Sequence, residues 1–361
     1  MSRHYIHIFQ WVERYYQEAA NQFNLDKMLL VETFYQLRHS AETHPEIYLA
    51  TMERGYLMAQ QLGEPCWRFF YAYWRWEVLM LYMERQTEGL KFAIEMVVEA
   101  RKPEYAHCIT RSPLFAMLVD SYVLVDPIGY EDAIRETSRY VEDELPISHQ
   151  THCLLLRRRA ELEYALGDLP TAIRQTEQLL DLAEKEPFQQ MYAYEMLCHY
   201  HHLQGDRESA RRYANTTYEI SLNLARKSVI MLACAWQALF FRQDGDISTA
   251  QSWYQRAESY YQSLKMKAAL WYFDILCEYH EIGGELEAAW TLRDRQLPTV
   301  IGTGGYHNEI VCRIKRASLL GRMGRAPDDE IAMARQIAPH LLRPDAYLAQ
   351  LDRIAAGDDR V

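Results

Sequence analysis

The chain has 361 residues and a formal charge of −11, from 50 acidic against 39 basic side chains. Hydrophobic residues make up 49% and charged residues 25%, the balance of a well-ordered soluble protein, while 15 Gly and 12 Pro are too few for the tight turns of a β-sandwich or barrel. The acidic excess argues against a nucleic-acid partner, because duplex binding draws on Lys and Arg to neutralise phosphates.

The N-terminal segment MSRHYIHIFQWVERYYQE carries charges early and has no long apolar run, so no secretory signal is expected there. No stretch approaches the roughly 18 uninterrupted apolar residues of a membrane helix. Seven widely spaced cysteines, Cys66, Cys108, Cys153, Cys198, Cys234, Cys277 and Cys312, contain no CxxC pair. Free thiols in a reducing cytoplasm are therefore expected, without a disulfide framework, zinc site or cofactor.

In chain order, residues 4–22 and 26–40 read as two amphipathic helices of an N-terminal cap covering 1–43. A helix over 45–62 follows, with Ala50 and Ala59 facing inward on a helical period. Residues 67–82, WRFFYAYWRWEVLMLY, are apolar almost all round and predict a helix buried on several sides. Packing between cap and first repeat accounts for it; an oligomer or partner interface is the alternative.

From there a repeat governs the sequence. Gly167-Asp168 is followed by Ala172, Gly205-Asp206 by Ala210, Gly245-Asp246 by Ala250, and Gly284-Glu285 by Ala289, the Ala five residues after the Gly each time. Successive alanines are 38, 40 and 39 residues apart, and the period extends back to Ala133 and Ala93. Forward, Gly324 keeps the period but meets Asp329, as in a worn terminal repeat. A second column of small residues lies seven before each Gly: Ala160, Cys198, Ala238, Cys277 and Ala317. The pattern predicts helical hairpins. Gly supplies the left-handed residue that ends the first helix, and the acid caps or charges the start of the second. The small columns mark where the two helices cross, so Ala238 is expected at a crossing and Ala235 is not. Seven pairs occupy about 65–340 within an array spanning 44–343. Gly302-Thr303-Gly304-Gly305 links the sixth pair to the seventh, and 344–356 form a closing helix before the tail to 361.

These residues resemble the tetratricopeptide repeat, whose pattern has a small residue in the first helix, a Gly-Asp turn, then Ala, an aromatic and another Ala. Ala238, Gly245, Asp246, Ala250, Tyr254 and Ala257 match it best. The family's first-helix Trp is replaced by Leu156, Tyr194, Cys234, Phe273 and Arg313, and the period exceeds the family's 34 residues. Longer helices of this kind are similar to the sensor arms of bacterial peptide-pheromone receptors and of large ATP-dependent transcription activators. The resemblance implies an all-α, right-handed superhelical solenoid of about seven helix pairs with an N-terminal helical cap.

In such arrays the first helices line the concave face. Counting from each Gly places Arg157, Arg158, Glu161 and Tyr164 on that wall, then Tyr192, Glu195, His199 and His202, then Trp236 and Arg242. Trp271, Asp274, Glu278 and Glu281 follow, then Lys315 and Arg322, while Tyr82 and Tyr122 extend the wall toward the N-terminus. Aromatics with mixed charge suit a peptide or protein segment, and two of the arginines in Arg157–Arg159 suit a carboxylate or phosphate clamp unless neighbouring glutamates pair with them. His199 and His202, one turn apart, could converge on a metal with Glu195 as third ligand, but the motif is not HExxH and a packed Tyr/His face accounts for it, so no metal is expected. No local spacing assembles a catalytic set, so no enzyme is expected. The reading is an interaction scaffold for a protein or peptide, with no nucleic acid or membrane partner and self-association open. The alternative is a regulator controlled by a peptide or small molecule.

Overall fold

The computed structural model describes residues 5–36, 44–184, 186–264 and 270–358. Every extended element among them is a helix; the sole β-type pairing is one isolated bridge between Ile6 and Ser148. No described helix is long and apolar enough to cross a membrane. The contacts divide the chain into two units, Met1–Leu124 with Glu131–Glu161, and Val125–Tyr130 with Leu162–Val361.

The first unit opens with α1 (Ile8–Asn21), α2 (Leu25–Tyr35) and α3 (Pro45–Gln61). The cap helix expected to reach residue 40 thus ends at Tyr35, and its last expected residues lie outside the described ones. The apolar segment forms α4 (Pro65–Glu77) and a π-helical turn at Val78–Tyr82. It packs on the cap: Trp67 lies 4.9 Å from Trp11, and Phe70 4.8 Å from Phe34, between ring centres. Helices α5 (Gln86–Ala100), α6 (Arg111–Val125) and α7 (Glu131–Glu144) follow, and α8 (His149–Ala165) runs across the division between units. Trp76 donates from Nε1 to Ser121 Oγ at 2.8 Å, tying α4 to α6.

Two cysteines overturn the expectation of free thiols. Cys66, the second residue of α4, is disulfide-bonded to Cys108 in the turn before α6, with Cα atoms 5.0 Å apart. Residues 42 positions apart meet because α5 returns the chain to the start of α4, which no local spacing reveals. Cys153, Cys198, Cys234, Cys277 and Cys312 are free and buried.

The second unit continues with α9 (Leu169–Leu182), α10 (Pro187–Leu203), α11 (Arg207–Asn223), α12 (Lys227–Gln243), α13 (Ile247–Ser263), α14 (Leu270–Ile282), α15 (Leu286–Gly302), α16 (Tyr306–Arg322), α17 (Asp328–Ile337) and α18 (Asp345–Ala355). Consecutive helices pack on one another, the packing order of an α-solenoid, and α12 also lies against α14. A helix pair cannot bury its apolar face alone, and this stacking supplies the missing neighbour.

The Gly turns are as expected. Gly167, Gly205, Gly245 and Gly284 have φ of +84°, +81°, +80° and +72°. At Gly245, its own N–H donates to Arg242 O and the N–H of Asp246 to Phe241 O, closing the carbonyls at the end of α12. Asp168, Asp206 and Asp246 then cap the next helix by accepting from Thr171, Ser209 and Thr249 N–H, each at 3.1 Å. Glu285, one methylene longer, makes no such cap; its carboxylate turns to Arg242 and His280 instead.

Both small columns are buried: Ala172, Ala210, Ala250 and Ala289 against Ala160, Cys198, Ala238, Cys277 and Ala317. In the sixth pair the two columns touch, Cys277 Sγ lying 3.6 Å from Ala289 O. Three details differ from expectation. Ala235 is as fully enclosed as Ala238, because α12 is covered on several sides. Ala133 is only half-buried, and Ile134 beside it fills the core. In the seventh pair, exposed Asp329 leaves the column, while Glu330 accepts from buried Arg313 and Arg316 at 3.1 and 2.7 Å. An ion-pair cluster there replaces the Ala contact. Gly302–Gly305 is part helix end and part turn, Gly304 taking φ +71° and Gly305 preceding α16.

Candidate functional site on the first helices

In the second unit, candidate residues from four elements meet around His199. Its position in α10 puts it on the same face as His202, one turn later. His199 Nε2 lies 3.3 Å from the Tyr164 hydroxyl at the end of α8, and the two rings meet edge to face. The Trp271 ring of α14 stacks on the imidazole with centroids 4.6 Å apart and planes 18° from parallel. Trp236 of α12 lies 5.8 Å from the same imidazole. His202 packs edge-on against Trp236 at 5.0 Å, and its Nε2 lies 2.9 Å from Glu278 Oε2. Tyr164, His199, His202, Trp236, Trp271 and Glu278 thus form one connected group. The side chains of the face pack on one another rather than standing apart along an open trough.

Burial sets the electrostatics. Loss of water pushes the His199 imidazole down to about 3, with Asp274 pulling the other way. The same loss drives the Tyr164 hydroxyl up to about 12. Burial would raise Asp274, but Lys315 Nζ at 2.5 Å and Arg293 Nη1 at 2.6 Å outweigh it and hold the carboxylate at about 2. His199 is therefore a neutral ring at ordinary pH, and Asp274 a fixed anion between two cations. Nε2 shares its hydrogen bond with the Tyr164 hydroxyl, and the other ring nitrogen is Nδ1. That Nδ1 and the Trp236 Nε1 are buried with no hydrogen-bond partner, although Trp236 is only 2% exposed.

The other expected wall residues go elsewhere. Arg242 lies over the Tyr279 ring at 5.1 Å and pairs with Glu285. Tyr192 meets Phe188 edge to face within α10, and Glu195 is buried on the same helix, where it adds to the burial that lifts the Cys198 thiol. Lys315 reaches Asp274, and Arg322 grips Glu281 through both guanidinium nitrogens at 2.7 and 3.0 Å. Arg157 and Arg158 belong to the first unit, where both are buried. Arg158 pairs with Asp120 and Glu161, and Arg157 Nε lies 3.9 Å from Glu161. Arg159 binds Glu142 at 2.8 and 3.3 Å. All three arginines thus have carboxylates of their own unit beside them. The neighbouring histidines also diverge: His199 faces Tyr164, His201 lies 3.3 Å from Asp206, and His202 faces Glu278.

Sequence reasoning missed Arg293, on the second helix of its pair. A signal was present: Arg293 is four residues after the buried Ala289, hence on the same side of α15. Asp120, the buried partner of Arg158, carried no signal, because apolar residues are spread over most sides of α6 and no helical period shows which way Asp120 faces.

Comparison with protein-family models finds no match, and no curated protein matches the chain. Among solved structures, the chain is similar to BtubC (BKLC) from P. vanneervenii at 15% identity and a TM-score of 0.35, over 76% of this chain and 93% of that one. It is also similar to a circular tandem repeat protein with novel repeat topology and enhanced subunit contact surfaces. That match has 14% identity and a TM-score of 0.21, over 96% of this chain and 89% of the other.

Proposed function

We propose that the chain is an interaction scaffold of tetratricopeptide type, holding a protein or peptide segment on the face made by α10, α12, α14 and α16. One observation carries this reading: the stack of Trp271 on His199. Trp271 is half-buried and its ring is fixed by a buried neighbour, so its free surface is offered to a partner at little conformational cost. Around it α14 and α16 present Glu278, the Asp274–Lys315 pair and the Glu281–Arg322 pair, which supply polar contacts and register. A rigid aromatic within mixed charge is the composition of an interface core and rim.

A regulated form of the same scaffold is favoured by two unpartnered buried nitrogens, His199 Nδ1 and the Trp236 Nε1 donor. Buried polar nitrogens are nearly always paired, and a small hydroxylated ligand, which both donates and accepts, would satisfy the two. Its seat among α10, α12 and α14 would couple ligand binding to the packing of the first helices.

The test is affinity capture from the source cell with the parent and with Trp271→Ala, followed by mass spectrometry and direct titration of the proteins found. A partner retained by the parent and lost by the variant, with an unchanged helical signal, supports the face. Equal binding to both proteins moves the site elsewhere.

A further inference from the structure

We propose that Cys66, His107 and Cys108 form a redox-controlled cation site, in which the two reduced thiolates and the imidazole hold Zn²⁺ and the disulfide is the cation-free state. One donor atom from each of the three lies within 4.8 Å of the others, the one such group of His, Cys, Asp or Glu donors among the described residues.

The geometry fits. Tetrahedral zinc takes bonds of about 2.3 Å to sulfur and about 2.0–2.1 Å to nitrogen, which sets two thiolates about 3.8 Å apart and a thiolate about 3.5 Å from an imidazole nitrogen. His107 Nε2 already lies 3.7 Å from Cys108 Sγ. Once the sulfurs are unbonded, side-chain rotation opens them to ligand spacing. The backbone around them is held, since Thr110 Oγ1 donates to Cys66 O at 2.8 Å. A disulfide needs no imidazole beside it, whereas a Cys₂His set with exposed His107 leaves water the fourth position.

The environment also separates Cys66 from the free cysteines. Cys198, Cys234, Cys277 and Cys312 sit in apolar surroundings where burial pushes their thiols up, Cys312 to about 11 and Cys234 and Cys277 to about 12. Cys66 is only half-buried at the second position of α4, whereas Cys108 is as enclosed as they are.

The interconversion balances as thiol–disulfide exchange. A small-molecule thiolate attacks the more accessible sulfur, Cys66, and the Cys108 thiolate leaves, giving a mixed disulfide on Cys66. A second small thiolate attacks the sulfur of the attached small molecule and releases the Cys66 thiolate. Two electrons pass to the protein, and the two small thiols leave as their disulfide. Zn²⁺ then binds the thiolates, and any proton they carried goes to solvent. In reverse, a small-molecule disulfide takes the two electrons back and the cation departs.

The experiment uses the full chain. Half is reduced with a phosphine and freed of it under anaerobic conditions, half is left oxidised, and both are titrated with Zn²⁺ against a chromophoric chelator. The reduced protein should bind one equivalent and the oxidised protein none. His107→Ala, a change at an exposed side chain, should weaken binding more than about a hundredfold, since even residues behind a ligand are worth tenfold to a hundredfold. Co²⁺ in place of Zn²⁺ should give the sulfur-to-metal absorption of a tetrahedral thiolate site in the parent, absent from Cys66→Ser. Equal binding by oxidised and reduced protein, or by parent and His107→Ala, would overturn the proposal and leave a disulfide with a structural role alone. Uptake retained in Cys66→Ser would place the cation on other groups and overturn it equally.

Discussion

His199 and Trp271 lie face to face with ring centroids 4.6 Å apart, although α10 and α14 belong to repeats with a whole helix pair between them. The contact joins repeats four and six directly, with Trp236 of repeat five beside it. It makes His199 a reporter of this face, because an imidazole so enclosed does not take a proton at ordinary pH.

That enclosure predicts an acid-sensitive fold. Burial holds His199 at about 3 and His307 at about 4, while the unfolded chain protonates each near 6.5. The unfolded state therefore binds more protons as pH falls below about 6.5, and stability present above that pH is lost on the way down to the folded values. Each histidine contributes a slope of up to about 1.4 kcal/mol per pH unit in this window. The melting temperature should fall from pH 7 to pH 5, before most carboxylates titrate. The double variant His199→Gln with His307→Gln should show a flatter profile; an unchanged slope would mean the imidazoles reach water.

The ion pair on Asp274 should matter far more than those on the surface. Asp274→Asn leaves the buried Arg293 guanidinium without its counter-charge, at a cost of about 3–5 kcal/mol. Glu287→Gln removes the partner of exposed Arg325 and should change stability by about 0–1 kcal/mol. Chemical denaturation of the two variants separates these outcomes, and equal losses would show Asp274 to be hydrated.

Helix crossing and helix ending should answer differently to added atoms. Ala238→Leu forces methylenes into a filled crossing and should cost about 1–3 kcal/mol, and Ala235→Leu a similar amount. At Gly245 a Cβ would meet open space, so Gly245→Ala should cost only the left-handed backbone penalty of about 1–2 kcal/mol. Denaturation midpoints at constant slope decide this. A neutral Ala235→Leu would show that α12 has room on that side.

Partner binding should depend on Trp271 more than on the arginines of α8. Loss of an aromatic anchor costs about 2 kcal/mol or more, some thirtyfold in affinity. Arg157 and Arg158 already lie against Glu161 and Asp120, so Arg157→Ala with Arg158→Ala should act mainly on stability. Isothermal titration with an identified partner, beside thermal melts of each variant, distinguishes the two. Tight binding by Trp271→Ala would remove this ring from the interface.

The sequence by itself determined the helix pairs of the second unit. Gly167, Gly205, Gly245 and Gly284 could be read because a left-handed turn admits few residue types, and the alanines because two helices in contact leave no room for more. Where chemistry is less exclusive the signal fades: Ala225 takes φ +52° between α11 and α12 without a Gly to mark it. Counting from the turns also placed Tyr164, His199, Trp236 and Trp271 on one side of their helices, and they meet. Only the tertiary structure decided what those side chains touch. Helical period fixes direction from the axis, but not the distance to a helix two repeats away, so neither the His199–Trp271 stack nor the Asp274–Arg293 pair could be counted out. The same holds for Cys66 and Cys108, whose meeting depends on how α5 folds back rather than on any residue near them.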